Sequence, residues 1–381
     1  MNVFTYTGNR IKVEVEGESH SERISARLSG DLELINSIEI DERELQAFLD
    51  RRAPGKNAWS TPRKEPDKVI ISRPSIENAL EGMSNDSTEG VIEGTIINTN
   101  TKPHDYSGLL RCPRPSHADY TAGLKYGDGY VSSGGGSFSG RMTAPLCIAG
   151  GIAIQQLQKC GIRIFSHIKS IGDISDINYS EAVRFEDTTA DRYIGYLKEV
   201  ASKDFPTVSD ESAEKMINLI REASADGDSV GGIIETVVTG MPGGIGGPLF
   251  EGIEGKIANL MFAVPAVKGI EFGNGFDATE LRGSQNNDAF EIRDGKVKMR
   301  TNNSGGILGG ISVGDAAPIV FATAFKPTPS IAKEQDTVDL VDRSNTKIEI
   351  KGRHDPCIVP RAVPVTEAVT ALAIWDLILS K

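Results

Sequence analysis

Strand-like and helix-like runs follow one another in this chain without a regular strand–helix–strand repeat. That order narrows the fold more than any single motif does. Alternating or β-branched runs occur at Arg10–Glu14, Lys68–Ser72, Val91–Asn98, Ile162–Ile168, Ile233–Thr239, Val267–Phe272, Pro318–Phe325 and Thr346–Lys351. Runs with helical spacing occur at Thr143–Lys159, Ala190–Ala201, Asp210–Ala225, Gly252–Ala263 and Ala362–Leu379. Asp41-Glu-Arg-Glu44 reads as a capping box that opens another helix, with Leu45, Phe48 and Leu49 on one face and Pro54-Gly55 as its stop. Arg293-Asp-Gly-Lys296 between short alternating stretches predicts a hairpin turn. A doubly wound parallel sheet needs a helix after nearly every strand, so the mixed order predicts an α+β sandwich instead. No repeat and no polar linker divides the chain, which predicts one domain over residues 1–381.

Charge and composition exclude several function classes. Forty-one Lys and Arg stand against 53 Asp and Glu, a net charge of -12. A body of that sign lacks the basic face that neutralises nucleic-acid phosphates, although a local cationic pocket remains compatible with it. The longest apolar stretch, Ala144 to Ile154, is far short of the ~20 residues that span a bilayer, and Ala368 to Leu379 is interrupted by Asp376. These features predict no membrane partner, and Met1 to Glu16 shows no signal-peptide layout. Cys112, Cys147, Cys160 and Cys357 are scattered without a C-x-x-C pair, which predicts reduced thiols, no metal site and a cytoplasmic protein.

The 41 glycines exceed the ~7% usual share, and many fall in segments that also carry arginine and histidine. Those segments are Gly17-Glu-Ser-His20, Asp50-Arg-Arg-Ala-Pro-Gly55, Arg114-Pro-Ser-His-Ala-Asp-Tyr-Thr121, Gly134–Ala144, Asn302–Ser312, Phe325-Lys-Pro-Thr-Pro-Ser330 and Gly352-Arg-His-Asp-Pro-Cys357. Exposed backbone N–H groups cradle phosphate, and arginine forks bind phosphate or carboxylate. Singly, each segment is as well explained by a flexible loop or a solvated arginine. Together they predict a pocket for a polyanion with histidines available for proton transfer. Gly273-Asn-Gly275-Phe-Asp-Ala278 matches a dinucleotide fingerprint in letters only, because the polar stretch Thr279–Asp288 does not continue as an apolar helix.

The same segments, in the same order from Gly17 to Pro364, resemble the chorismate synthase family, and the Phe-Ser-Gly-Arg-Met-Thr form at 138–143 is more similar to its archaeal-type members than to common bacterial ones. The resemblance implies a β-α-β sandwich with helices packed between antiparallel sheets, assembled as a homotetramer. It implies a lyase of the shikimate pathway to aromatic amino acids, which converts 5-enolpyruvylshikimate 3-phosphate to chorismate by 1,4-anti elimination of phosphate. It further implies reduced FMN as cofactor, with NADPH or a separate flavin reductase as candidate sources of its electrons.

Residue by residue, the resemblance implies that His20 and His117 handle protons, a task suited to a group with a pKa near neutrality. Asp355 matches the aspartate that assists at flavin N5, and Arg353 a neighbouring arginine. Ser137, Phe138, Ser139, Pro265, Ala266, Gly309 and the run Lys326, Pro327, Thr328, Pro329 and Ser330 match flavin-contacting positions. Arg51, Arg52, Arg114 and Arg141 match positions for the anionic substrate or a nicotinamide nucleotide. His104 and His167 match no such role and read as surface or packing residues. Departures from the common pattern are Ser21 and Ser116 where glycine is usual, Ala58 and Ser137 where bacterial members carry arginine, and Val313 with Ala316-Ala317 after the glycine-rich run. Two other classes stay open at this stage. One is an NAD(P)H-dependent flavin reductase or ene-reductase, and the other is a non-catalytic oligomeric relative.

Overall fold

The computed structural model describes residues 2–55, 57, 59, 65–74, 89–99, 111–127, 133–182, 189–350 and 355–381. Within them the first sheet has the order β1-β2-β3-β5-β4, formed by Val3–Thr7, Ile11–Glu16, Arg23–Asp31, Val69–Ser72 and Glu89–Ile97 for β1 to β5, all antiparallel. The strand β2 shows why it pairs on a helix layer: Ile11, Val13 and Val15 are buried, and Lys12, Glu14 and Glu16 are not. The second sheet is also antiparallel, in the order β7-β6-β8-β14-β9. Its strands are Arg163–Ile171 (β6), Ile174–Ser175 (β7), Gly232–Thr239 (β8), Val267–Phe272 (β9) and Ile319–Phe325 (β14). Three two-stranded hairpins complete the strands: Phe290–Arg293 with Lys296–Met299 (β10, β11), Ile307–Leu308 with Ile311–Ser312 (β12, β13), and Gln335–Asp339 with Ser344–Ile348 (β15, β16).

Two long helices fill the space between the sheets. The helix Thr143–Lys159 packs on β2, β3 and β5, and the helix Val359–Leu379 packs on it and on β6 and β8. Glycine decides how closely they meet. A Cβ at Gly150 would lie 2.4 Å from the Ala368 Cβ, and one at Gly151 would lie 2.5 Å from Leu45 on the helix Glu42–Arg52. One contiguous core therefore runs from Ile11 through both helices to Phe325. This is the sandwich the resemblance implied. The helix Val359–Leu379 has the length and hydropathy of a membrane span, yet nearly all of it is buried inside the protein. Asp376 near its end accepts N–H bonds from Asn9 (2.8 Å), Arg10 (2.7 Å) and Ile11 (3.1 Å), which stitches it to the β1–β2 turn.

Several local expectations change in detail. Asp41 caps its helix through bonds from the Arg43 and Glu44 N–H groups, but the box is not reciprocal, because the Asp41 N–H is given to Gln155 Oε1 at 2.9 Å. The last long helix starts at Val359 rather than Ala362, since Pro360 occupies its first turn, where no N–H is needed. The strand expected at Thr346–Lys351 forms earlier, at Ser344–Ile348, set by its pairing with β15. The turn at Asp294-Gly295 forms as expected, with both residues at positive φ. Gly273–Ala278 leads from β9 into a 3-10 turn, Gly275–Glu280, and not into an α-helix, in line with its rejection as a dinucleotide site. Strands β1 and β3 and the helix Asp119–Tyr126 were not foreseen.

Candidate active site

Pro115 and a residue at positive φ build the turn that presents His117. The His117 N–H donates to the Arg114 carbonyl at 3.2 Å, and Ser116 has φ +57°, the pattern of a type II turn with proline second and a left-handed residue third. Glycine would adopt this left-handed backbone without strain. The chain then enters the helix Asp119–Tyr126, and the first residue of that helix turns back onto the turn. Asp119 accepts from the Arg114 backbone N–H (3.0 Å), Nε (2.7 Å) and Nη2 (2.7 Å), and its Oδ1 lies 2.6 Å from His117 Nδ1. Arg114 Nη2 also lies 3.1 Å from Nδ1, but a carboxylate can only accept and at 2.6 Å is the nearer partner, so the imidazole proton is assigned to Nδ1, and Nε2 is the nitrogen left to exchange protons. Burial opposes the Asp119 charge, but the bonds from Arg114 and His117 outweigh it and hold the carboxyl well below the usual range. On the Nε2 side stands Gly135, where a Cβ would come within 3.3 Å of that nitrogen; its φ of +111° admits only glycine comfortably.

Several of the other predicted segments meet at this turn. Ser19 N–H donates to Gly136 O at 3.2 Å, which brings the half-buried His20 to the same glycine loop. Lys326 Nζ donates to the Ser116 carbonyl, and Arg114 Nη1 donates to Ser330 Oγ at 3.1 Å. The Lys326 N–H donates to Ala266 O at 3.0 Å, so Pro265-Ala266 adjoins the Lys326–Ser330 run. From there Ser229 Oγ donates to Thr328 O (2.7 Å), and the neighbouring Val230 N–H donates to Pro356 O (2.9 Å), placing Asp355-Pro356 along the same rim.

Asp355 forms a second charged centre. Its Oδ2 lies 2.6 Å from Arg361 Nη1, with the carboxylate side chain 10% exposed. Burial pushes its pKa up, and Arg361 pulls against that shift. Arg361 also donates from Nε to the Arg52 carbonyl at 3.1 Å. The four predicted arginines are each engaged with a carboxylate of the chain. Arg51 grips both oxygens of Glu367 at 2.6 and 3.0 Å, and Arg114 grips Asp119. Arg52 (2.5 Å) and Arg141 share the buried Asp67. Burial, reinforced by Arg361 and Arg141 and opposed by Asp67, draws Arg52 down to about 10, so it stays charged at neutral pH.

Ser139 Oγ caps the Arg141 N–H at 3.1 Å, Phe138 is exposed, and Ser137 Oγ is buried without a hydrogen-bond partner among the described residues. Thr328 Oγ1 and Asp355 Oδ1 are likewise buried and unpaired among them. Three unmet polar atoms on three predicted flavin or catalytic segments fit a polar cofactor. Gly309, by contrast, lies in the β12–β13 turn beside the start of β14, whereas Lys326 follows its end; seven strand residues, about 20 Å, separate them. Arg353, Ala58 and His104 lie outside the described residues. Of the surface or packing role expected for His167, the packing one holds: it is fully buried, 3.0 Å from Glu235 and 3.5 Å from Asp176.

Sequence reading missed Asp119, Arg361 and Asp67. The i, i+2 spacing of His117 and Asp119 was the signal for the first; Arg361 lies six residues beyond Asp355 with no motif linking the two, and Asp67 meets Arg141 by tertiary contact. A cavity of about 220 Å³ lined by Arg51, Trp59, Lys203 and Arg361 adjoins the Asp355 centre. A larger open hollow of about 810 Å³ at Glu39–Glu44 lies on an acidic surface without histidines and has none of this chemistry.

A sequence profile described as chorismate synthase matches residues 11–379. The chorismate synthase of Lancefieldella parvula is 41% identical over 98% of this chain and 96% of its own length. That of Korarchaeum cryptofilum is 40% identical with the same coverages, and that of Methanococcus maripaludis strain C7 is 40% identical over 100% of this chain and 98% of its own. A solved structure titled "Crystal Structure of Chorismate Synthase" superposes with a TM-score of 0.69 over 98% of this chain and 93% of that one. At 23% identity that likeness speaks for the fold alone.

Proposed function

The chain belongs to the chorismate synthase family, and from that premise we propose how its residues divide the work. As a chorismate synthase it is a carbon–oxygen lyase of aromatic biosynthesis acting on a small molecule. In the elimination, the C–O bond to phosphate and a ring C–H bond break, a double bond forms, and no net oxidation occurs. Reduced FMN, when bound, supplies electron density that favours departure of the anionic leaving group.

The protein's share is to bind, to shield and to move protons. His117 exchanges a proton at Nε2 while Asp119 holds Nδ1, so the ring keeps one tautomer and one orientation. His20, carried to the same glycine loop by Ser19, is the second proton-handling histidine. Asp355, paired with Arg361, is the third group. Ser137 Oγ and Thr328 Oγ1 offer hydrogen bonds to FMN, with Phe138, Ser139, Pro265, Ala266, Lys326 and Ser330 around them. Arg51, Arg52, Arg114 and Arg141 stand at the positions for the anionic substrate or a nicotinamide nucleotide, where binding would draw on guanidinium N–H groups beyond their own carboxylate partners; Arg353 and Gly309 remain assigned by resemblance alone. The shared core supports reading residues 1–381 as one functional domain. Free cysteines and the packed helix Val359–Leu379 favour a cytoplasmic protein. NADPH or a separate flavin reductase would supply electrons, and a homotetramer is the expected assembly.

The observation that carries this reading is the His117–Asp119–Arg114 unit locked to the Lys326–Ser330 run. Its test is an anaerobic assay with dithionite-reduced FMN and no NADPH. Chorismate and phosphate should appear in equal amounts only with reduced flavin. FMN should also bind more tightly with substrate present, by a coupling of about 1–3 kcal/mol, because each ligand shields the other from water. Product formation without flavin, or steady NAD(P)H oxidation tied to a reduced organic product, would replace this reading with a different one.

A further inference from the structure

We infer that Arg361 is the positioning residue that aims Asp355 and supplies its counter-charge, an inference that rests on the role given to Asp355 above. The guanidinium is held at two points. Nη1 meets Asp355 Oδ2 at 2.6 Å, and Nε donates to the carbonyl of Arg52, the last residue of the helix Glu42–Arg52, at 3.1 Å. A planar fork held at two points fixes the carboxylate it grips, which a flexible ammonium would not do. Arg361 stands in the first turn of the helix Val359–Leu379, where the helix dipole disfavours a cation. A cation in that position needs a local anion, and the anion at hand is Asp355.

The surroundings leave few other sources of that counter-charge. Burial favours the neutral carboxylic acid, which cannot accept a proton. Arg52 also attracts the carboxylate, but it is bound to Asp67, which is shared with Arg141. The Cys357 backbone N–H helps, while its thiol, pushed up by burial to about 12, stays neutral. Arg353, two residues before Asp355, lies outside the described residues. Among the described groups, Arg361 is the direct ion-pair partner of Asp355.

The test is the pH dependence of single-turnover rates with reduced FMN supplied, for Arg361→Gln, Arg361→Lys, Asp355→Asn and the double variant Arg361→Gln/Asp355→Asn. Arg361→Gln should move the acid limb of the profile up by about one pH unit or more, because loss of the cation favours the protonated acid. It should lower the rate about 10- to 100-fold below that limb, with substrate affinity within a few-fold. Arg361→Lys keeps the charge without the fork, so it should return the limb toward its wild-type position while the rate recovers only in part. It also serves where the glutamine variant does not fold. The double variant should be no slower than Asp355→Asn, since Arg361 acts through Asp355. An unmoved acid limb in both Arg361 variants, or rate losses that multiply in the double variant, overturns the inference while leaving Asp355 in place. A wild-type rate and profile for Asp355→Asn removes Asp355 itself from the mechanism, and the inference falls with it.

Discussion

Ser116 adopts a left-handed backbone at φ +57° between Pro115 and His117, so one residue carries strain at the point where His117 is presented. A left-handed conformation costs an ordinary residue roughly 1–2 kcal/mol. Glycine removes that cost but loses about 0.5–1 kcal/mol of unfolded-chain freedom. Ser116→Gly should therefore leave stability unchanged or raise it by up to about 1 kcal/mol, read from the denaturation midpoint; a clear loss would mean the serine contributes more than its backbone shape. Asp119 makes the opposite case, a residue whose charge matters more than its shape. Asp119→Asn keeps the volume but can present an amide N–H to Nδ1, which favours the wrong tautomer. Single-turnover rates should fall about 10- to 100-fold with FMN affinity little changed. An unchanged rate would show that His117 needs no partner. The motif made His117 legible in the sequence; the Asp119 that orients it became evident only when the turn brought the two side chains to 2.6 Å.

Helices were the most readable elements. Thr143–Lys159, Ala190–Ala201 and Asp210–Ala225 form with the bounds their spacing predicted, and Ser209 Oγ caps the last of them by accepting from Ser212 N–H at 3.2 Å. The strand β6 hid its most consequential residue. His167 pairs across the sheet with Glu235 in β8 and with Asp176 beyond β7, and Glu235 also accepts the Tyr179 N–H at 2.8 Å. Burial opposes the His167 charge, but the two carboxylates outweigh it and raise its pKa above 6.5. The carboxyls of Asp176 and Glu235 are in turn held below their ordinary values of 3.8 and 4.5, against burial, by His167. A raised histidine contributes stability in full below 6.5 and loses it as pH rises through the folded value. The lowered carboxyls contribute above 3.8 and 4.5 and lose it as pH falls through theirs. All three contribute together between 4.5 and 6.5. His167→Gln, which strands two buried carboxylates, should cost about 3–5 kcal/mol, with the gap to wild type largest in that window. Chemical denaturation across pH 4 to 8 reads it; a gap of under about 0.5 kcal/mol, the size of an ordinary surface change, would show the cluster to be solvated.

At the scale of the whole molecule, the glycine-rich segments divide into two groups. Those around His117, His20 and Lys326 meet at one end of β14, and the Gly305–Gly310 run meets the Gly246–Gly252 loop at the other. Beside that second group, Leu249 and Phe250 are 89% and 93% exposed, and Leu308 and Ile311 flank the hairpin turn. Large exposed apolar side chains of this kind mark contact surfaces. In solution the protein should sediment at four times its 40.9 kDa chain mass, and Phe250→Asp should shift it toward smaller species. A monomer for the wild type, or an unaltered tetramer for the variant, would place the assembly surface elsewhere.

The sequence by itself determined the α+β class, the long helices, the hairpin at Asp294-Gly295 and the family, because each depends on periodicity, turn chemistry or a contiguous motif. The family resemblance also put forward His117 and Asp355 as candidates, because each stands inside a contiguous motif, Arg114–Thr121 and Arg353–Cys357. Only the tertiary structure decided which charges stand together: Arg52 with Asp67 and Arg141, Arg51 with Glu367, and His167 with Asp176 and Glu235. Arg51 and Glu367, Arg141 and Asp67, and His167 and Glu235 are far apart in sequence, and even for the nearer pairs a buried ion pair leaves no periodic trace along the chain. Its free energy comes from packing that removes water, and that packing exists only once the two sheets have closed on the helices between them.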